Sequence, residues 1–255
     1  MKVLDYREKV EFLRLLVYGL PGAGKTWFAA SGADDPRASP TLVLDCWGQP
    51  VSLLTSSIHR PLLEAGKLHI WQLATYEDLL NVYDWLTGKH IPQLEGLMPT
   101  KPKLVVIDSL TDLQQRELWY IVGGKYPSRP IRNLPRAEIQ HWGQILDTMT
   151  LLAQAFCELP MHVIVTCLEQ PDVPSPTMRT PRRLALKGQG AFTVPSKFDA
   201  VMWLTRERVG GGNFNVGHFA KGTSTKSQVG VFPAVLSTPT VPKLLDLLGG
   251  TPMVT

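Results

Sequence analysis

The sequence is poor in cysteine and has no long uncharged apolar run. Its three cysteines, among 255 residues, form no Cys-x-x-Cys pair, so neither a disulfide framework nor a zinc site is predicted. Reduced thiols favour a cytoplasmic location. No apolar run approaches the ~20 residues that a membrane-spanning helix needs, and charges at Lys2, Asp5 and Arg7 leave no room for the apolar core of a signal peptide. We therefore expect no contact with a membrane.

Charge is also scarce, since charged residues make up 19% of the chain and the formal net charge is +4. So small an excess predicts no partner by itself, and the places where basic residues cluster matter more. Apolar residues make up 44% of the chain, which is enough for a full hydrophobic core. The length fits one α/β domain, or one domain with a small appendage, and we expect a single domain over residues 1–255, of which the family resemblance given below covers about residues 10–249.

A glycine-rich motif, Gly-Leu-Pro-Gly-Ala-Gly-Lys-Thr, occupies residues 19–26. Glycines let the backbone curl so that its N–H groups point at the phosphates of a nucleotide, and the following helix adds the positive end of its dipole. Lys25 would reach the β- and γ-phosphates, and the Thr26 hydroxyl would bind Mg²⁺. The residues predicted to bind the nucleotide are Gly19, Pro21, Gly22, Ala23, Gly24, Lys25, Thr26 and Trp27.

Strand and helix signals alternate along the chain, which predicts an α/β fold with a mostly parallel central sheet and crossover helices. The predicted strands cover residues 11–18, 41–45, 68–73, 104–108 and 162–167. The predicted helices cover residues 76–86, 136–159 and 241–248. Residues 200–205 and 214–220 predict a late antiparallel hairpin. The stretches 123–135 and 171–195 exceed the usual connection length, which is typical of functional loops or insertions.

Acidic residues end two of the predicted strands. Residues 104–108 read Leu-Val-Val-Ile-Asp, and a buried strand of this kind places its last acid at the ligand edge of a parallel sheet. Asp108 would hold Mg²⁺ directly or through a water. Asp45 ends another strand, where it would either orient water or Mg²⁺ or cap a turn.

The strand at 162–167 ends among polar side chains. Thr166, Glu169 or Gln170 would sense the γ-phosphate, or else they are solvated loop residues. The sequence contains no Asn-Lys-x-Asp tetrad for reading guanine. ATP is therefore favoured over GTP as the nucleotide.

The order of these motifs resembles that of the RecA-like ATPases, and most of all the small phage-type RecA-core proteins implicated in single-strand annealing and homologous recombination. The resemblance is carried by the glycine-rich loop, the strand with Asp45 and Gly48, the run Val-Val-Ile-Asp-Ser-Leu-Thr at 105–111, the long helix with Trp142, residues 162–170, and Phe-Ala-Lys at 219–221. It implies a RecA-like P-loop core that binds ATP and Mg²⁺. It also implies a homo-oligomer with two partners, single-stranded DNA and a single-strand DNA-binding protein, and, for a phage protein, the host cytoplasm.

The resemblance further implies that the stretches 123–135 and 171–195 line a DNA path. Both are basic, and flexible basic segments suit neutralisation of the backbone of a single strand. Tyr126 and Phe192 would stack on bases. The alternative is a pair of solvated loops with scattered basic residues. The residues predicted to bind DNA are Lys125, Arg129, Arg132, Arg179, Arg182, Arg183 and Lys187.

Two positions bear on ATP hydrolysis. RecA-like proteins carry a late basic residue that reaches the ATP of the neighbouring subunit, and the resemblance implies this role for Lys221. They also carry a glutamate, two residues after the position of Asp45, that polarises water. This chain has Trp47 there, and an indole cannot accept a proton. Either Asp45 or Glu169 substitutes, or hydrolysis is slow and the nucleotide acts as a binding switch. The predicted catalytic residues are Lys25, Asp45, Asp108, Glu169 and Lys221.

Two other functions remain open. A small-molecule or nucleoside kinase would use the same glycine-rich loop, with the basic residues of 179–187 as a lid. A nucleotide-binding assembly or packaging component would use ATP mainly to stabilise oligomers, and Trp47 favours such a role. DNA binding, ATP turnover and phosphate transfer to a nucleoside distinguish the three functions.

Overall fold

The computed structural model describes residues 11–46, 48, 51–123, 137–170, 183–209, 212–219 and 231–249. The strands are β1 (Arg14–Gly19), β2 (Thr41–Asp45), β3 (Leu68–Gln72), β4 (Leu104–Asp108), β5 (His162–Gln170), β6 (Arg183–Leu184), β7 (Ala200–Val209), β8 (Gly212–His218) and β9 (Val235–Ser237). The helices are α1 (Lys25–Ala30), α2 (Val51–Leu54), α3 (Arg60–Glu64), α4 (Tyr76–Leu86), α5 (Pro92–Glu95), α6 (Leu110–Gly123), α7 (Ile139–Cys157), α8 (Gly190–Thr193) and α9 (Val241–Gly249). Short 3₁₀ helices cover Ser31–Asp34 and Val194–Lys197.

The strands form one central sheet in the order β3-β2-β4-β5-β1-β7-β8-β9, with β6 pairing β5. Every neighbouring pair from β3 to β7 is parallel. The pairs β7–β8 and β8–β9 are antiparallel. This arrangement confirms the predicted α/β fold, in which helices flank a mostly parallel sheet that ends in a late antiparallel hairpin.

The sheet brings the ends of four strands to one edge. Parallel strands share the direction of their carboxyl ends, so β1, β2, β4 and β5 all finish at the same side of the molecule. Strand β5 separates β1 from β4. Asp45 lies directly opposite Asp108 in the register of β2 and β4. The edge therefore gathers the glycine-rich loop with both acid-terminated strands.

The core lies on both faces of the sheet. Along β1, Leu16 and Tyr18 belong to one cluster of buried side chains, which includes residues of α4, α6 and α7. Leu15 and Val17 belong to the other cluster, which includes residues of α1 and α9. This alternation follows from the two-residue period of a strand. A strand buried on both faces is a near-continuous apolar run, which is why this part of the sequence is almost wholly hydrophobic.

The observed bounds of β2, β4 and α4 are those predicted. Helix α4 begins with a capping box, in which Thr75 Oγ1 accepts a hydrogen bond from the Asp78 N–H at 3.1 Å and Asp78 Oδ2 accepts one from the Thr75 N–H at 2.7 Å. Its apolar side buries Leu79, Val82 and Leu86 against the core. Local sequence is thus sufficient to define this helix.

Three other predictions are corrected. Strand β5 continues to Gln170, three residues past its predicted end, because β6 pairs with Glu169 and Gln170. Strand β6 and helix α8 lie within residues 183–195, which were predicted to be irregular. Helix α7 spans Ile139–Cys157 instead of the predicted residues 136–159. The predicted loop at 123–135 falls almost wholly outside the described residues. Within the part of the chain that the structure describes, no helix has both the length and the apolar character needed to cross a membrane.

Candidate functional site

Each glycine of the 19–26 loop occupies a position where a side chain is disfavoured. Gly22 and Gly24 adopt φ values of 79° and 88°, a left-handed conformation that favours glycine. A Cβ on Gly19 would lie 2.2 Å from the backbone oxygen of Leu204 in β7, and one on Gly24 would lie 2.7 Å from Asn215 Nδ2 in β8. The loop therefore needs glycine both for its curvature and for its close contact with the late hairpin.

Lys25 lies beneath this loop. Its Nζ donates hydrogen bonds to the carbonyl oxygens of Gly19 at 2.8 Å and Leu20 at 3.0 Å. An ammonium has three protons, so one remains for a phosphate oxygen. Burial lowers the pKa of Lys25, and the Asp108 carboxylate is foremost among the charges that counter this shift. The side chain is 8% exposed and presents a cation at the inner surface of the loop.

Thr26 and Asp108 meet across the site. Thr26 Oγ1 donates a hydrogen bond to Asp108 Oδ2 at 2.6 Å, and Thr166 Oγ1 donates one to Asp108 Oδ1. The Asp108 carboxylate, at the end of β4, is therefore held on one side by Thr26 of α1 and on the other by Thr166 of β5. Hydroxyl and carboxylate oxygens are the ligands that Mg²⁺ prefers, so the pair fits the predicted metal. A magnesium-binding role for Thr26 and Asp108 stays a prediction. In the described ranges, no group of three or more His, Cys, Asp or Glu side chains forms a metal cluster of its own.

The two candidate substitute bases lie in different surroundings. Asp45 is buried at the end of β2, and its Oδ2 accepts a hydrogen bond from the Gly48 N–H at 2.8 Å. This contact is the turn-capping role considered as one alternative. Glu169 is 7% exposed and accepts a hydrogen bond from Trp203 Nε1 at 2.8 Å. The alternative of a solvated loop residue is therefore wrong for Glu169, because β5 extends far enough to bury it.

Two buried thiols adjoin the same edge. Burial raises the pKa of Cys167 to about 12 and raises the pKa of Cys46 as well. Cys167 Sγ lies 3.2 Å from the hydroxyl oxygen of Thr111. Thiols with raised pKa values stay protonated at neutral pH and are poor nucleophiles. These cysteines therefore pack in the core, and the chemistry of the site rests on oxygen and nitrogen groups.

A cavity of about 570 Å³ opens beside the glycine-rich loop. Gly24 and Trp27 form one side of it, and Phe214 and Asn215 of β8 form another. His59, which precedes α3, also lines it. Sequence reasoning included Trp27 here but missed the other side chains, because they lie in segments without a recognisable motif.

Two of the predicted DNA-binding residues lie at a second open cavity of about 620 Å³. Lys187 Nζ lies 5.4 Å from the ring centre of Trp142, within the range of a cation–π contact. Arg183 Nε donates a hydrogen bond to Gln170 Oε1 at 2.9 Å. Phe192 is 60% exposed. The other residues discussed for DNA binding or hydrolysis lie outside the described residues: Trp47, Lys125, Tyr126, Arg129, Arg132, Arg179, Arg182 and Lys221.

Comparison with known proteins gives a likeness in structure alone. No protein-family model matches the chain, and no curated protein is significantly similar in sequence. Among solved structures, the flagellar accessory protein FlaH from Methanocaldococcus jannaschii is similar, with a TM-score of 0.46 and 13% sequence identity. The match covers 90% of this chain and 85% of that chain. A likeness at this level says nothing about function.

Proposed function

We propose that this chain is a RecA-like ATP-binding protein that hydrolyses ATP slowly and binds single-stranded DNA in homologous recombination or strand annealing. The observation that supports ATP binding most directly is the meeting of Thr26 and Asp108 at 2.6 Å. It joins the end of the glycine-rich loop to the acid-terminated strand β4, although the two residues are far apart in sequence. A chance glycine-rich turn would have no reason to lie against such an acid.

The described residues at this site would have different roles. Lys25 would stabilise negative charge on the phosphates through the ammonium proton that is not hydrogen-bonded to the carbonyl oxygens of the loop. Thr26 and Asp108 would hold Mg²⁺, which neutralises phosphate charge when bound. Thr166 positions the Asp108 carboxylate through its hydroxyl. Slow turnover is supported by the sequence, since Trp47 stands where a proton acceptor is expected.

Direct binding measurements test the ATP site. We expect Lys25→Ala to abolish ATP binding, and Thr26→Val and Asp108→Asn to remove the enhancement of binding by Mg²⁺. Thr148→Ala and Asp84→Asn are matched controls. Thr148 lies on α7, where its hydroxyl donates to the Gln144 carbonyl oxygen, and Asp84 lies on α4, where it accepts a hydrogen bond from Lys89. Unchanged ATP affinity in Lys25→Ala, in a protein that still unfolds cooperatively, would contradict the proposal.

The DNA part of the proposal is supported by the basic and aromatic groups at the second cavity. A cation beside an aromatic ring, as Lys187 is beside the half-buried Trp142, suits the backbone and bases of a single strand. In a salt series of fluorescence anisotropy, we expect Arg183→Ala/Lys187→Ala to weaken binding and reduce the salt slope. Lys89→Ala/Lys101→Ala removes the same charge elsewhere and is the control. Absence of DNA binding at low salt would contradict this part and favour an assembly role, and phosphate transfer to a nucleoside would favour a kinase.

A further inference from the structure

The cavity of about 570 Å³ beside the glycine-rich loop is not used by the phosphate and metal groups described above. Asp108 does not line it, and its walls come from the loop and α1, the 3₁₀ helix at Ser31–Asp34, the segment before α3, Arg206 of β7, β8, and residues 238–240. The volume is within the range of small-molecule binding sites, ~300–1,000 Å³. If the loop binds the phosphates of a nucleotide, the base and ribose must lie close to the loop.

Aromatic rings form two of the walls. Trp27 is 40% exposed and Phe214 is 45% exposed, so both retain accessible ring surface. Trp27 also packs against the His59 ring, with centroids 4.6 Å apart and an interplanar angle of 89°. Flat apolar walls of this kind favour a flat aromatic ligand.

The hydrogen bonds of Ser56 determine which ring nitrogen of His59 carries the proton. Ser56 Oγ accepts from the backbone N–H groups of Ile58 at 3.2 Å and His59 at 3.3 Å. Its own proton is then available for His59 Nδ1, which lies 3.0 Å away. A hydroxyl that donates to Nδ1 requires the tautomer with its proton on Nε2.

His59 is therefore a neutral hydrogen-bond donor at the cavity. Burial lowers its pKa, which keeps the ring uncharged at neutral pH. The residue is only 2% exposed, and no described residue hydrogen-bonds to its Nε2. Nε2 is thus the polar atom that this side chain has left to offer a ligand, since Nδ1 is occupied by Ser56.

We infer that this cavity receives the base and ribose of a purine nucleotide, and that His59 is a specificity-determining residue that donates a hydrogen bond from Nε2 to a ring nitrogen of the base. The inference rests on the proposed binding of nucleotide phosphates by the loop. The purine ring nitrogens N3 and N7 each have a free lone pair, whereas neither ring nitrogen of UTP has one, because N1 bears the ribose and N3 carries a proton. The larger purine ring also covers more of the aromatic walls.

The test compares Mg²⁺-dependent binding of ATP, GTP, CTP, UTP and inorganic tripolyphosphate to the full chain by calorimetry. We expect wild type to bind purine triphosphates more tightly than UTP. The affinity for UTP should exceed that for tripolyphosphate by about tenfold at most. His59→Ala should weaken ATP binding about five- to tenfold, the loss of one hydrogen bond to a ligand, without changing tripolyphosphate binding. Ser56→Ala should also weaken ATP binding, but by less. It removes the hydroxyl that favours the proton on His59 Nε2 and leaves the imidazole ring in place.

His69→Ala is the matched control, since that imidazole also bonds a near neighbour, Gly66 O at 3.0 Å, but lies on β3. Constant tripolyphosphate affinity shows that a His59 variant has kept its fold. The inference is overturned if wild type binds tripolyphosphate as tightly as ATP, or if His59→Ala binds ATP as wild type does. Binding of neither ATP nor tripolyphosphate, with Lys25→Ala indistinguishable from wild type, would instead overturn the proposed function itself.

Discussion

Single residues of the glycine-rich loop are constrained by the strands around it. Gly22 is required for its backbone conformation alone, because a Cβ there would meet nothing within 4 Å. Gly19 is required for space alone, because the backbone oxygen of Leu204 occupies the position where a Cβ would point. The same residue type therefore serves two different physical needs within one short motif.

Gly19→Ala should destabilise the protein because backbone atoms of β7 cannot move away as a side chain would. We expect a loss of about 2 kcal/mol in the free energy of unfolding, measured by urea denaturation. Gly143→Ala is the control, and it should change the free energy of unfolding in the opposite direction. Its Cβ would have open space within α7, and alanine should stabilise that helix by about 0.5–1 kcal/mol. Equal effects of the two substitutions would contradict this account.

ATP turnover should be well below that of full RecA-type enzymes, because Trp47 cannot accept a proton. Asp45→Asn and Glu169→Gln test whether either acid substitutes as a base. Trp203→Phe is the structural control for Glu169, since it removes the indole donor but keeps the carboxylate. A turnover number that matches RecA-type enzymes and is lost in one of the acid variants, but not in Trp203→Phe, would show a substitute base.

At the scale of elements, the sequence predicted those whose ends carry a local signal. Strands β2 and β4 end in aspartate, and α4 has its capping box, so their bounds were correct. The end of β5 could not be predicted, because Glu169 and Gln170 look like loop residues until β6 pairs with them. His59 was missed for a similar reason: its role depends on Ser56 and Trp27, which only the fold brings around it.

The start of β5 should make stability depend on pH. His162 Nδ1 accepts a hydrogen bond from the Leu13 N–H at 2.9 Å, so the folded state needs the neutral ring. Burial lowers the pKa of His162 below that of the unfolded chain. As pH falls below about 6.5, the unfolded state therefore takes up a proton first, and stability decreases until the lowered folded pKa is passed.

Urea midpoints at pH 7.5 and 5.5 measure this effect. We expect His162→Gln to be less stable than wild type at pH 7.5, where the hydrogen bond is fully present, and to lose less stability on acidification. His90→Gln, at an exposed side chain 3.0 Å from Glu95 Oε1, is the surface control. The same loss on acidification in wild type and His162→Gln would assign the pH dependence to other groups.

At the scale of the whole molecule, the resemblance to RecA-like ATPases predicts a homo-oligomer in which Lys221 acts on the ATP of the neighbouring subunit. Lys221→Ala should then reduce turnover without changing ATP affinity. Mixing Lys221→Ala with Asp108→Asn should restore activity, because a mixed interface combines an intact ATP site with an intact lysine. Lys243→Ala, on α9, is the control. No recovery in mixtures, with both variants shown to co-assemble, would place Lys221 outside the reaction.

The contact between the glycine-rich loop and the β7–β8 hairpin has a consequence for how this protein can change. Leu204 and Asn215 limit the space around Gly19 and Gly24, so the loop is in contact with two strands that come much later in the chain, β7 paired to β1 and β8 paired to β7. An insertion at the hairpin turn that slips β8 by one residue along β7 would replace Asn215 beside Gly24, whereas Leu204 would stay beside Gly19 because β7 pairs with β1. The first measurable loss would then be nucleotide affinity, in a protein whose parallel core remained intact.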